Sequence, residues 1–202
     1  MTDISFPSER MTAQLRFIVE LDALKAVLRA TTLMDKSRQE NSAEHSWHLA
    51  MMALLLAEYA DVPIDVVRVV KLVLVHDIIE IDAGDTPAFG VTGHEDKSER
   101  ELLAAQRLFG LLPQEQHAEL MALWDEFESQ ETAESHFALV LDRMHPLLQN
   151  ANSEGGTWVT YNVTRSQVSA RMQPIRAYSA ALWAYTESII AKGVADGYIR
   201  DE

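Results

Sequence analysis

The sequence predicts an all-α protein, a helical bundle of about six to seven helices forming a single domain over residues 1–202. Three observations carry this. The chain is rich in Ala, Leu, Glu, Met, Gln and Arg, the residues that lose least on entering a helix. Its 8 glycines and 6 prolines fall at the boundaries of apolar-periodic segments. No stretch reads securely as a strand.

The elements follow in order. Leu15, Ile18, Val19, Leu21, Leu24, Val27 and Leu28 make an apolar stripe at helical spacing, which predicts a first helix from about Ser8 to about Thr31. Thr31, Thr32 and the polar run Asp35–Asn41 read as a loop. Ser42 is the N-cap candidate for a second helix, Ala43 to Ala60. Pro63 opens a third, Ile64 to Ile81. Its β-branched core VVRVVKLVLV is ambiguous by periodicity, but length and the Pro start favour a helix, apolar nearly all round and therefore central. Ala83 to Gly93 reads as a loop, Glu95 to Phe109 as a helix stopped by Gly110 and Pro113, and Gln114 to Ser129 and Thr132 to Asn152 as two more. After Glu154-Gly155-Gly156, a last helix runs from about Arg165 to Lys192, bent at Pro174. It either packs on the bundle or supplies a dimer face through Leu182, Trp183, Ile189 and Ile190.

Composition narrows the function. With 17 Lys and Arg against 31 Asp and Glu, the net charge is −14, which repels polynucleotides and anionic membranes. There is no cysteine, so disulfides, thiolate zinc sites and a cysteine nucleophile are excluded. Met1 to Glu9 carry no signal-peptide pattern and no apolar run is long enough to span a bilayer, so the expected location is cytoplasmic.

Chemistry gathers in four clusters: Glu44-His45-Ser46-Trp47-His48, His76-Asp77-Ile78-Ile79-Glu80, Asp82-Ala83-Gly84-Asp85-Thr86-Pro87, and Asp142-Arg143-Met144-His145. An apolar helix ending in His76 and Asp77 needs partners, because burying an unpaired carboxylate costs several kcal/mol or shifts its pKa. Taken singly, the pair reads as an imidazole–carboxylate hydrogen bond. A divalent cation also satisfies both, since neutral imidazole and carboxylate are metal ligands. Glu80 lies one turn after His76 on the same face, suited to act on water beside such an ion. Asp142 sits among Leu139, Val140 and Leu141 and faces inward.

The ordered set resembles HD-domain metal-dependent phosphohydrolases: a His, an adjacent His-Asp pair about 30 residues later, and a distant Asp, here His45, His76-Asp77 and Asp142. The segments Asn41–Ser46, Leu74–Glu80, Gly84–Pro87, Leu141–Arg143, Pro146–Asn150 and Gly155–Trp158 are similar to the branch containing the 5′-deoxynucleotidases. The resemblance implies one divalent ion (Co²⁺, Mn²⁺, Zn²⁺ or Mg²⁺) held by His45, His76, Asp77 and Asp142. It implies attack by metal-activated water on a phosphomonoester, most naturally a nucleoside monophosphate. Glu80 then assists the water, and Asp85 helps activate it or protonates the leaving group. An upstream arginine is expected to hold the phosphate, with Arg29 and Arg38 as candidates; Ala30-Thr31-Thr32 replaces the Gly-Trp or Trp-Pro that usually follows it. The branch also implies a homodimer. The stretch Val91–Lys97 and the surroundings of Trp158 are candidate pocket walls. Two other classes stay open: a phosphodiesterase or guanosine tetraphosphate hydrolase of the same superfamily, and a non-catalytic helical interaction module stabilised by metal. Metal count separates the first from a monoesterase, and a functional Glu80 argues against the second.

Overall fold

A computed structural model describes residues 8–89 and 96–202. Most of the signal-peptide window and most of the Val91–Lys97 stretch lie outside the described residues. The described chain is mostly helical, with more helical segments than six or seven and a small antiparallel hairpin.

The first helix, α1 (Glu9–Glu20), starts under a Ser8 cap. It is shorter than expected: it tightens into a 3₁₀ segment over Leu21–Ala26 and the chain then extends into β1 (Leu28–Thr32). The apolar stripe that suggested one long helix therefore crosses three conformations. β1 pairs antiparallel with β2 (Gln39–Asn41), around a turn in which Lys36 takes a left-handed φ of 63°. The segment read as a loop supplies β2, and the hairpin as a whole delivers Arg29 from β1 and Glu40 from β2 to the interior.

Asn41, not Ser42, caps α2 (Ser42–Leu56), in a capping box with Glu44. Ser42 is thereby freed for the interior. The apolar helix α3 (Val66–Val75) is capped by Asp65 and buries Val69, Leu72 and Val73 completely. It stops before Ile81: residues 76–79 form a turn that leads into the short α4 (Glu80–Ala83). The helices α5 (Lys97–Phe109), α6 (Gln114–Ser129) and α7 (Ala133–Asn152) lie close to the expected ranges. α7 packs against α2, α3 and α6 and supplies much of the core.

The Gly-Gly segment opens α8 (Gly156–Thr160), where Asn150 Oδ1 accepts hydrogen bonds from Thr157 N (2.7 Å) and Oγ1 (2.9 Å). A Cβ at Gly156 would come within 2.5 Å of that oxygen, so only glycine fits. The expected long C-terminal helix is three: α9 (Arg165–Arg171), α10 (Gln173–Tyr178) and α11 (Ala180–Ala195). The main break is at Ser179, which leaves the helical region to cap α11, and not only at Pro174. Of the four residues expected at a dimer face, Leu182 and Ile190 are buried within this chain, while Trp183 and Ile189 pack against the core and stay partly exposed. Among the described residues no helix is long and apolar enough to cross a membrane.

Candidate metal centre and active site

Three elements bring the central side chains together. His45 lies in the first turn of α2, set by the capping box, and is fully buried. His76 caps the C-terminus of α3, whose rotation is fixed by Val69, Leu72 and Val73 in the core. Asp142 projects from the middle of α7. Pro146, one turn later, lacks the N–H that would bond the Asp142 carbonyl.

His45, His76 and Asp142 each present one ligand atom within 4.8 Å of the others. His45 Nε2 is 3.1 Å and His76 Nε2 is 4.0 Å from Asp142 Oδ1. Asp77 adjoins them, with Oδ1 3.0 Å from His76 Nε2 and Oδ2 3.8 Å from His45 Nε2. The four residues expected from the sequence thus converge from distant chain positions.

Protonation tests whether this set suits a cation. His76 Nδ1–H donates to the Val73 carbonyl at 2.9 Å, which leaves Nε2 as a bare lone pair. That atom is buried without a hydrogen bond, although Asp77 Oδ1 lies 3.0 Å away. A buried acceptor without a donor is costly, and a divalent ion satisfies it. Two imidazoles and two carboxylates fit a first-row divalent ion.

His45 belongs to a chain of rings. Its Nδ1 lies 3.0 Å from His145 Nδ1, and His145 Nε2 lies 2.9 Å from His48 Nδ1. Burial, then Arg29, holds His45 well below the usual imidazole pKa. Burial takes His145 down to about 3. These two rings are therefore neutral, each with one N–H to place. When His45 Nε2 serves as a ligand, Nδ1–H donates to His145, and His145 Nε2–H donates to His48.

The carboxylates are electrostatically unlike. Burial alone would raise Asp142, but Arg143, at 2.6 Å, and His45 hold it well below the carboxylate range. Burial and the neighbouring Asp77 push Glu80 up to about 9, while Ser42 Oγ–H donates to its Oε2 at 2.6 Å. Burial also raises Asp85. Glu40 is buried on β2 and pushed up to about 7 by desolvation; its Oε2 is 3.6 Å from His45 Nδ1. Asp82, from the same sequence cluster as Asp85, turns away to Arg107 at 2.7 Å.

The two candidate phosphate arginines separate. Arg29 is inside, 2.8 Å from Asp77, 3.8 Å from Glu40 and 3.9 Å from Asp85. Burial opposes its charge, but Asp77, Asp142, Glu80 and Asp85 outweigh this and raise its pKa. Arg38 lies outside, half exposed and paired with Glu44 at 2.9 Å.

A cavity of about 370 Å³ opens over the cluster, with His76, Asp77, Glu80, Asp85 and Asp142 in its wall. A smaller one adjoins it, lined in part by Trp158, Tyr161 and Phe89, and the two share Arg29, Asp85, Asp142, Arg143 and Arg171. Trp158 is therefore in a wall, as expected. Arg171 and Glu40 were not singled out from the sequence, and Ser42 was read only as a helix cap. The signal for Arg171 is its place beside Val168, Met172 and Ile175 on an inward stripe.

The comparisons with known proteins agree with this geometry. A family model described as HD domain matches residues 21–183. The human protein 5′-deoxynucleotidase HDDC2 is 30% identical over 155 residues, covering 76% of this chain and 74% of its own length. Its Bos taurus counterpart is 33% identical over 141 residues, covering 69% of this chain and 67% of its own. A crystal structure described as a predicted metal-dependent phosphohydrolase from Magnetospirillum magnetotacticum MS-1 superposes with a TM-score of 0.88 at 52% identity, covering 95% of this chain and 99% of that one. The chain belongs to the HD domain family of metal-dependent phosphohydrolases. Both the human and the Bos taurus relatives are named 5′-deoxynucleotidases.

Proposed function

We propose that this chain hydrolyses the phosphomonoester of a (deoxy)nucleoside 5′-monophosphate, releasing nucleoside and phosphate, with one divalent ion held by His45, His76, Asp77 and Asp142. The observation that carries this is the buried, unpartnered Nε2 of His76, in a cluster with His45 and Asp142 beneath an open cavity. The names of the relatives support the substrate class. When bound, the ion supplies Lewis-acid polarisation and makes water a better nucleophile at neutral pH.

The remaining steps fall to the protein's own groups. Ser42 holds Glu80 through Oε2, leaving Oε1 to take a proton from the attacking water. Burial raises its proton affinity, and a divalent ion beside it would favour the ionised form that this step needs. The water oxygen bonds to phosphorus as the ester P–O bond breaks. Asp85, whose burial favours its protonated form, gives a proton to the departing 5′ oxygen.

The test is phosphate release from a panel of nucleoside monophosphates by metal-stripped protein, with Co²⁺, Mn²⁺, Zn²⁺ and Mg²⁺ added singly. Release depends on metal, and Asp77→Ala abolishes it along with metal retention. Glu80→Gln lowers turnover by about 10²-fold or more while metal content and melting temperature hold. Hydrolysis of phosphodiesters alone, with two ions per chain, would overturn the proposal.

A further inference from the structure

Four basic side chains line the larger cavity: Arg29, Lys97, Arg143 and Arg171. Three already face a carboxylate. Arg29 meets Asp77 at 2.8 Å, Lys97 meets Glu101 at 3.3 Å, and Arg143 meets Asp142 at 2.6 Å. Among the described residues Arg171 has no carboxylate within ion-pair distance and no hydrogen-bonded partner for its guanidinium. We propose that Arg171 is the anion-receiving residue of the site, binding the substrate phosphate through its guanidinium fork; this rests on the phosphohydrolase reading above.

Position supports the assignment. Arg171 ends α9, which Thr164 and Gln167 fix with a capping box. It lies one turn after Val168 and beside Met172, both buried, so its backbone is anchored in the core. A cation on such a stripe costs desolvation, which an anionic ligand returns. Burial and the adjacent Arg143 lower its pKa to about 10, so it stays protonated at neutral pH. It lines both cavities, as do Asp85 and Asp142. An ester whose phosphate rests there faces the proposed proton donor and the metal ligands together.

In a protein of net charge −14, such a residue matters beyond its own contact. The cavity wall carries Asp77, Glu101 and Asp142, whose carboxylates repel a phosphate dianion. An unneutralised guanidinium offsets this at one point and sets where the phosphate lies. Lysine would supply the charge without the planar fork.

The experiment is calorimetric titration of inorganic phosphate into Co²⁺-loaded protein, with metal content and melting temperature measured alongside. Arg171→Gln is expected to weaken phosphate binding by about 10- to 100-fold, with a matching rise in KM for a monoester, and to leave metal content unchanged. Arg171→Lys is expected to lose about tenfold. Wild-type phosphate affinity in R171Q overturns the assignment, as does absence of phosphate binding by the wild type. Should R171Q fail to fold, R171K decides, and unchanged affinity there overturns the fork. Monoester hydrolysis with intact phosphate affinity in R171Q removes Arg171 and leaves the proposed function standing. Phosphate affinity that falls in R171Q, in a wild type that cleaves no monoester, does the reverse.

Discussion

Glu40 shows how one side chain can tie stability to pH. Its ordinary pKa of 4.5 is pushed up to about 7 by burial, so the native state holds a proton that the unfolded chain releases. This contribution is complete below pH 4.5 and is lost as pH rises through about 7. In protein stripped of divalent ions, Glu40→Gln should remove the loss and stabilise the fold above pH 8 by about 2 kcal/mol relative to wild type. Urea denaturation at pH 5 and pH 8.5 checks this: a difference between the proteins of the same size at both values refutes it. The four expected metal residues were legible because their order and spacing along the chain are a signature. Glu40 and Ser42 were not, since nothing adjacent to them in sequence signals an inward-facing polar group, and Arg171 offered only its place on an apolar stripe. Their roles arise only in the folded arrangement of β2, α2 and α9 around the site.

At the level of elements, the helices with end signals were read well and the segment without them was not. α6 and α7 begin and end where Pro113, Thr132 and the Gly155-Gly156 pair stop or cap them. The first stripe had no such stop, and its helical spacing hid the passage into β1, where Thr31 and Thr32 favour extended backbone. The hairpin then depends on its junction with α2. Asn41 closes β2 and caps the helix that carries His45, accepting from Glu44 N at 2.9 Å. Asn41→Ala should cost about 1 kcal/mol of stability. Because the same turn aims His45, it should also weaken metal retention, measured by equilibrium dialysis; a variant equal to wild type in both would show that the cap is redundant.

On the scale of the molecule, the metal cluster draws on the start of α2, the end of α3 and the middle of α7, with β1 closing it through Arg29. An ion there bridges segments far apart in sequence, so binding counts toward folding. At an ion concentration 100 times its dissociation constant the native state gains about 2.7 kcal/mol. For a chain of this length, that is a rise in melting temperature of about 5–10 °C, which a chelator should reverse and Asp77→Ala should abolish. Scanning calorimetry that shows no shift with any first-row ion would contradict the arrangement.

The ring chain from His45 through His145 to His48 extends this reach outward. His45 is sealed in the core, whereas His48, one helical turn further along α2, is only half-buried. Because each neutral ring in the series can place only one proton, a change at the innermost nitrogen re-registers the outer ones. The occupancy of the centre is thus written on the tautomer of a histidine at its rim. The nitrogen-15 chemical shifts of His48 should therefore change on metal loading, readable without touching a ligand; identical shifts with and without metal would refute this.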